Sequence, residues 1–267
     1  MYIVGANPLS TLPDPDMVKE SLDSLEFLVV QDMFMNETAS MADIVLPAAS
    51  FAEKDGSFTS LERRVQRIKK VIKPLGESRP DWMIISELAK RMGYPMDYPS
   101  PRAIMEEISL LLPSYRGIKY EGMEEGGHFW PCEDIDDSGT QSLYEDGFVK
   151  GSGRLIPVRF REIDDSSYEY PFWLIKGSDL YHFGNGTRTL NSSRLKSILP
   201  RGSLAINPSD AGGLNLTDGD NVKVSSRRGG IEVQIKITED MPRGILFVPK
   251  FLTGSNILNN KVKIERV

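Results

Sequence analysis

The sequence predicts two lobes of different class. The first is α/β, an open and mostly parallel sheet over residues 1–112, and the second is all-β, a small closed barrel over residues 171–267. Three observations carry this. Short apolar runs alternate with helical patterns up to Leu112, and short β segments punctuated by turn signals fill the chain after Tyr170. Between them, residues 113–170 are acidic, rich in Gly and without periodicity.

The first lobe opens with Tyr2-Ile3-Val4, a strand stopped by Gly5-Ala6-Asn7-Pro8. Over Pro15–Leu25, Met17, Val18, Leu22 and Leu25 fall at helical spacing, with Asp14 as the N-cap and Pro15 at the first helical position. Phe27-Leu28-Val29-Val30 is continuous enough for a strand buried on both faces, and Ile44-Val45-Leu46 supplies a third. A basic stretch follows (Arg63, Arg64, Arg67, Lys69, Lys70), which reads as a solvated face or as a phosphate patch. Two helices complete the lobe, Asp81–Arg91 closed by Gly93 and Ala103–Leu112 closed by Pro113. The stretch 113–170 is an excursion between the lobes, either packed on the surface in part or free of it. In the second lobe, Phe172–Ile175, Leu204–Ile206, Val222–Val224, Ile231–Ile237 and Ile245–Val248 are short strands spaced by turns such as Asp218-Gly219-Asp220 and Arg228-Gly229-Gly230. Asn191–Leu199 and Ser209–Leu214 are its helices.

Composition narrows the function. A chain of 267 residues with 40% apolar side chains buries a real core, which excludes a disordered or fibrous protein. One Cys excludes a disulfide scaffold, a cysteine-ligated cluster and a Cys-based zinc site, and two His are too few for a histidine-rich metal site. The absence of an 18-residue apolar run or a basic leader predicts a cytoplasmic protein with no transmembrane segment. The net charge of −6 is unevenly spread: residues 121–149 hold nine acids and no base, leaving 29 acids against 32 bases elsewhere. That mild excess carries no nucleic-acid footprint and suits a small anionic ligand.

Candidate chemistry lies where strands end, since ligands of open α/β sheets bind outside the carboxyl ends of the strands. Gly5-Ala6-Asn7-Pro8, Gln31-Asp32 and Pro47-Ala48-Ala49 fall there. Gly5 permits close backbone approach and Asn7 offers donor and acceptor. Asp32 suits the N1–H and N2–H₂ donors of a guanine, as a carboxylate rather than an amide. The competing reading makes Asn7-Pro8 a turn and Asp32 a helix cap. In Leu180–Thr189, two Gly let backbone N–H groups face a ligand while Thr187, Arg188 and Thr189 offer phosphate or ring contacts. His182 is a general base or, more simply, a satisfied structural residue, because no nucleophile or paired carboxylate lies near it in sequence. No nucleophile elbow, Walker loop or GxGxxG loop is present.

The run GANPLSTLPDPDMVKESLDSLEFLVVQDMFMNETASMADIVLPAASFAEKDGSFTSLERRVQRIKK resembles the molybdopterin (bis-guanine-dinucleotide) oxidoreductases. PLGESRPDWMIISELAKRMGYPM, FWPC and SGT look most like formate dehydrogenase catalytic subunits, with the related subunit of NADH-quinone oxidoreductase (complex I) sharing the early part. The last hundred residues, from PFWLIKGSDLYHFGNGT to FVPKF, look like the dinucleotide-binding domain of that family. The resemblance implies a partial Rossmann-like domain over 1–112 and a double-psi β-barrel over 171–267. It implies a molybdenum or tungsten bis-molybdopterin guanine dinucleotide, shared with a partner chain. Gly5, Asn7, Pro8, Gln31 and Asp32 would contact the guanine dinucleotide, Glu37 and Thr38 would add contacts, and His182, Thr187, Arg188 and Thr189 would lie against the pterin. Asn256 matches the Asn of a late N-x-L motif.

Departures from the family shape the expectation. The family's iron–sulfur cysteines, its Cys or Sec metal ligand and the adjacent His and Arg lie in an N-terminal half, and one Cys cannot supply them. Cys132, in a W-P-C context, is a weak candidate ligand. Met1 opens at a strand inside a domain, and the segment after Asn256 is shorter than in relatives. The expectation is a C-terminal half or split subunit. An N-terminal half would carry the metal ligand and cluster as partner, electron-transfer subunits would complete the assembly, and no catalytic residue would lie on this chain. The alternative is a binding module without a redox role, of the complex I type or another.

Overall fold

The computed structural model describes residues 1–267 except 135, 137, 138, 146, 149, 161–167, 200, 201 and the side chain of residue 125. Asp137, Asp146 and 161–167, part of the expected excursion, therefore lie outside the described residues. The chain forms two compact units, 1–45 with 161–267, and 46–160. This division cuts across the expected one at 112/113 and 170/171.

In the first unit, β1 (Tyr2–Val4) is followed by α1 (Pro8–Thr11), α2 (Pro15–Asp23) and β2 (Val29–Asp32). Strand β2 pairs in parallel with β1 and leads to β3 (Ile44–Pro47), giving the sheet order β1-β2-β3. Helix α2 starts as expected: Pro15 occupies its first turn, and the Asp14 carboxylate accepts from Met17 N at 3.3 Å. Its buried Val18 and Leu22 join Ile3, Leu28, Val30 and Ala39 in one small core.

The second unit holds β4 (Gly56–Thr59), β5 (Arg64–Ile68), α3 (Asp81–Arg91), α4 (Pro101–Leu111) and β6 (His128–Phe129). These strands form an antiparallel sheet, β4-β5-β6, so the parallel alternation expected to Leu112 stops at β3. Of the basic stretch, Arg64 and Arg67 lie half-buried in strand β5 beside the buried Val65, while Lys69 and Lys70 follow it and are exposed. Glu124 pairs with Arg67 and, at 3.3 Å, with Lys69, while Glu121 pairs with Arg102 at 2.5 Å. The Arg67 guanidinium stands 4.7 Å from the Tyr120 ring. The excursion thus packs in part against the basic strand, and Ile118, Tyr120, Met123 and Cys132 share a core with Val65 and Met105. Cys132 is a buried core residue, and no metal-holding group of His, Cys, Asp or Glu occurs among the described residues.

The remainder of the first unit is a closed barrel. Its strands are β7 (Phe172–Gly177), β8 (Leu204–Ile206), β9 (Asn221–Ser226), β10 (Gly229–Ile237), β11 (Ile245–Pro249) and β12 (Lys261–Arg266), with helices α5 (Ser193–Ile198) and α6 (Pro208–Gly213) between them. The order around the barrel is β10-β8-β11-β7-β12-β9. Pairs β10–β8 and β11–β7 are parallel and the other four antiparallel. Alternate residues point inward, so Val222, Val224, Val233, Ile235, Leu246, Val248, Val262 and Ile264 fill the interior. Closure leaves no unpaired edge, which is how many short strands become a stable body. Strand β12 escapes a reading by pattern because its charged partners, Lys261, Lys263 and Glu265, dominate Val262 and Ile264. No helix among the described residues is long and apolar enough to cross a membrane.

Each unit offers a test of what holds it. Leu204→Ala, at a fully buried barrel position, costs about 2–5 kcal/mol through lost transfer and a residual cavity, read by urea unfolding. In the second unit, Glu53 completes a capping box: its carboxylate accepts from Ser50 N at 2.7 Å and from Leu75 N at 3.0 Å. The Ser50 backbone bond, reinforced by the Ser50 hydroxyl, the Leu75 amide and Lys70, holds this carboxyl below its ordinary value of 4.5 against the opposing effect of burial. A lowered folded value means the contribution is present above about pH 4.5 and lost as pH falls through the folded value. Glu53→Gln therefore flattens the acid limb of a pH–stability curve, and an unaltered limb counts against the box.

Candidate functional site

The loop after β1 is shaped by its backbone. Gly5 has φ +60°, the left-handed region, and its N–H donates to Gln31 O at 2.8 Å. Pro8 opens α1, and the Asn7 carbonyl accepts from Ser10 N at 3.1 Å and Thr11 N at 3.0 Å. These bonds turn the Asn7 side chain inward, where it is almost fully buried.

Asn7 then gathers three other expected site residues. Its Oδ1 accepts from the Thr38 hydroxyl at 2.7 Å, while its Nδ2 donates to Glu37 Oε2 at 2.7 Å and to Thr187 Oγ1 at 3.4 Å. Thr38, wholly buried, also accepts from Leu9 N at 3.2 Å. Asn7, Glu37, Thr38 and Thr187 therefore form one hydrogen-bonded cluster. Asn256 reaches the same loop from the barrel, its Nδ2 donating to Leu9 O at 2.8 Å and Leu12 O at 2.9 Å. Its amide protons hold backbone.

At the end of β2, Gln31 is fully buried and accepts from the Tyr2 hydroxyl. Asp32 caps no helix but holds its own turn: Oδ1 accepts from Met33 N at 2.7 Å and Phe34 N at 3.2 Å, and Oδ2 accepts from Asn36 Nδ2 at 3.1 Å. A carboxylate has about four lone-pair positions, so these bonds leave roughly one, on Oδ2, where two guanine contacts were expected.

His182 is buried and satisfied. Nε2 lies 3.0 Å from Leu199 O and Nδ1 2.9 Å from Thr189 Oγ1, with the ring centroid 4.2 Å from that of Phe251. A carbonyl only accepts, so Nε2 is the donor and Nδ1 takes the Thr189 hydroxyl hydrogen. His182 fixes the segment that carries Thr187 and Arg188, and the general-base reading gives way to the structural one. Arg188 is exposed and, among the described residues, has no ion pair. Gly186 (φ +79°) has no room for a side chain, because a Cβ would stand 2.8 Å from Leu190 Cδ1 and Phe251 Cβ.

Beside this cluster lies a cavity of about 320 Å³, bordered by Phe34, Asn36, Glu37, Asn185, Thr187 and Phe251 among others. Sequence reading passed over Asn36 and Asn185. Asn36 is buried and accepts from Ala39 N at 2.9 Å while steering Asp32. The Asn185 Oδ1 accepts from Thr187 N at 3.3 Å, but its Nδ2 is buried without a partner among the described residues. The Gly-Asn-Gly context was the available signal, read there only for backbone.

Residues 1–91 match the family described as molybdopterin oxidoreductase, and residues 172–263 the molybdopterin dinucleotide-binding domain. The chain thus matches both of these molybdopterin-enzyme domains. The alpha subunit of an F420-dependent formate dehydrogenase from Methanocaldococcus jannaschii is 44% identical over 96% of the chain and 39% of that relative. The alpha subunit of formate dehydrogenase 1 of Methanococcus maripaludis is 37% identical over 97% and 40%. A putative formate dehydrogenase of Staphylococcus aureus is 33% identical over 93% and 26%. The chain spans about two fifths or less of the length of these relatives. Acetylene hydratase from Pelobacter acetylenicus superposes with a TM-score of 0.74 over the whole chain and 44% of its own, at 19% identity, a likeness of fold.

A molybdopterin dinucleotide fits the residues present. The unpartnered Asn185 Nδ2 needs an acceptor, and Asp32 retains an acceptor position. Thr38→Val tests the cluster: it leaves Asn7 Oδ1 and Leu9 N without their partner and costs about 1–3 kcal/mol in thermal or chemical unfolding. A loss below a few tenths would show the cluster to be incidental.

Proposed function

We propose that this chain is the cofactor-clamping part of a molybdenum or tungsten oxidoreductase of formate dehydrogenase type. The reaction is oxidation of formate to carbon dioxide with release of one proton and two electrons. The observation that carries the reading is the cluster joining Asn7, Glu37 and Thr38 to Thr187, on residues the two family matches cover, beside the unpartnered Asn185 amide. The barrel, with two parallel strand pairs among its six strands, is read as a double-psi barrel.

When bound, the metal–pterin group would supply the two-electron redox chemistry. The residues of this chain bind and orient it. Asp32, aimed by Met33 N, Phe34 N and Asn36, accepts from a guanine donor through its remaining Oδ2 position. Asn185 Nδ2 donates to a ligand acceptor. Gly5 permits close backbone approach beside Gln31, Asn7 and Thr38 hold the loop in shape, Pro8 sets the entry to α1, and Asn256 ties that loop to the barrel. His182 sets Thr189, and Arg188 presents an exposed guanidinium suited to phosphate. One Cys cannot build an iron–sulfur cluster, so the cluster and the metal ligand are assigned to residues outside this sequence, on the same polypeptide or another. The same reading includes electron-transfer subunits and a cytoplasmic setting.

The guanine site is tested with GDP by calorimetry. Asp32→Asn converts an acceptor into a donor and Asn185→Leu removes one, and each weakens binding by about 1–3 kcal/mol. Unchanged affinity in both variants, or no binding by the parent chain, sinks the guanine assignment. The reaction is tested in the complete assembly purified with this chain: formate-dependent reduction of a viologen dye is expected, and a metal-free, inert assembly favours the binding module.

A further inference from the structure

The wall of the barrel has two characters. Side chains alternate along each strand, so every second residue faces away from the core. On β9 and β10 these outward residues are polar: Asn221 and Lys223, then Glu232, Gln234 and Lys236. On β8, β11 and β7 they are Ala205, Ile245, Phe247, Trp173 and Ile175. The registers make these five neighbours. Phe247 lies opposite Ala205 on one side and Ile175 on the other, and Ile245 lies opposite Trp173. The Phe247 ring lies over Gly177, where any Cβ would clash with it, so the stripe is flat at that end. Trp173 keeps 39% of its surface exposed and Ile175 51%. Closing a barrel requires apolar side chains inside only, so an apolar stripe on one outer wall has no role in the core.

The flanks of the stripe carry one sign. Lys236 of β10 stands in register with Ala205, and Lys261 of β12 with Trp173, its ammonium 4.1 Å from the ring centroid. Neither lysine has an ion pair among the described residues, whereas Lys263, next outward on β12, spends its charge on Glu265 at 3.2 Å. The loop entering β11 mixes Glu239, Asp240 and Arg243, so the two flanks set the sign of the border.

We propose that the outer wall β8-β11-β7 is a docking face for a polypeptide outside residues 1–267, one that lays apolar side chains over Trp173, Ile175 and Phe247 and sets carboxylates against Lys236 and Lys261. An apolar centre within a charged border is the ordinary anatomy of a protein interface, and the border selects a partner of opposite sign. A second copy of this chain is disfavoured by the same border, since either pairing of two copies brings lysine against lysine. A lipid surface calls for protruding apolar tips, whereas Ile245 and Phe247 lie half-buried in a flat wall. The relatives are more than twice as long as this chain, which leaves ample polypeptide for the role. The inference stands on the barrel alone and is independent of the cofactor reading.

The experiment compares the chain alone with the complete assembly purified with it. Hydroxyl-radical oxidation of Trp173 and acetylation of Lys236 and Lys261, read by mass spectrometry, fall severalfold in the assembly, while acetylation of Lys223 on the opposite wall is unchanged. Ile175→Asp, at an exposed position, preserves the thermal midpoint of the chain and its GDP titration but blocks assembly. Lys236→Glu combined with Lys261→Glu weakens assembly about tenfold or more, and Lys223→Glu does not. Equal labelling of Trp173 in the two forms, or normal assembly of Ile175→Asp, overturns the docking face. Normal assembly of the double lysine variant overturns the acidic partner. A chain that dimerises in sedimentation and is returned to monomer by Ile175→Asp gives the stripe to a second copy. Binding to phosphatidylglycerol vesicles that Ile175→Asp abolishes gives it to a membrane. Either result overturns the proposal.

Discussion

The site depends on one buried amide. Asn7 is placed by the left-handed turn at Gly5 and by α1, and its side chain joins the loop after β1 to the 37–38 loop and the Thr187 segment. An Asn offers two donors and one carbonyl acceptor in fixed geometry, and here both ends are used within the protein. Asp in its place would confront Glu37 with a second carboxylate, and Leu would strand Thr38. The amide therefore acts as a register pin: when it is satisfied, the loops on either side have one arrangement. A residue expected to touch a ligand thus also shapes the loops beside the cavity.

The barrel supplies the rigidity that such a pin needs. Its six strands close with no edge, and its interior is filled by aliphatic side chains with almost no exposure. Segments anchored on it, His182 to Thr189 on one side and Asn256 on the other, are held by hydrogen bonds to backbone or to one another rather than by ion pairs. Neutral, directional bonds in low dielectric fix geometry without adding fixed charge near the cavity. The cavity's polar character then comes from a few lining groups, Asn36, Glu37, Asn185 and Thr187 among them.

Much of the fold was legible because its elements obey simple periods. The helices Pro15–Asp23, Asp81–Arg91 and Pro101–Leu111 carry Pro or charge signals at their ends, and the strands Leu204–Ile206 and Ile245–Pro249 are apolar runs bounded by turns. The failures have a common cause. In β5 and β12, charged side chains alternate with Val and Ile, so each strand resembles a charge run unless its partner strand is known. At the site, Gly5 and Asn7 were legible at a strand end and Thr187 in a Gly-rich loop, whereas Thr38 was implied only by the family resemblance. The structural readings of Asp32 and His182 were both open in the sequence, but choosing them depended on partners one to 17 residues away.

Charge shows the same limit and where it leads. The acidic excess at 121–149 looked like a separate feature, leaving two mildly basic lobes to face an anion. In the fold, Glu121 and Glu124 pair locally with Arg102, Arg67 and Lys69, so part of the most conspicuous basic run in the sequence is already neutralised. Among the described residues, the barrel cations left without close counter-charges are isolated ones such as Arg188, Lys176 and Lys250. A net charge counts all of these equally, whereas a ligand meets only charge that the fold has not already neutralised. Charge already paired around β5, the middle strand of its sheet, therefore says less about anion binding than a cation whose counter-charge the fold has left unfilled.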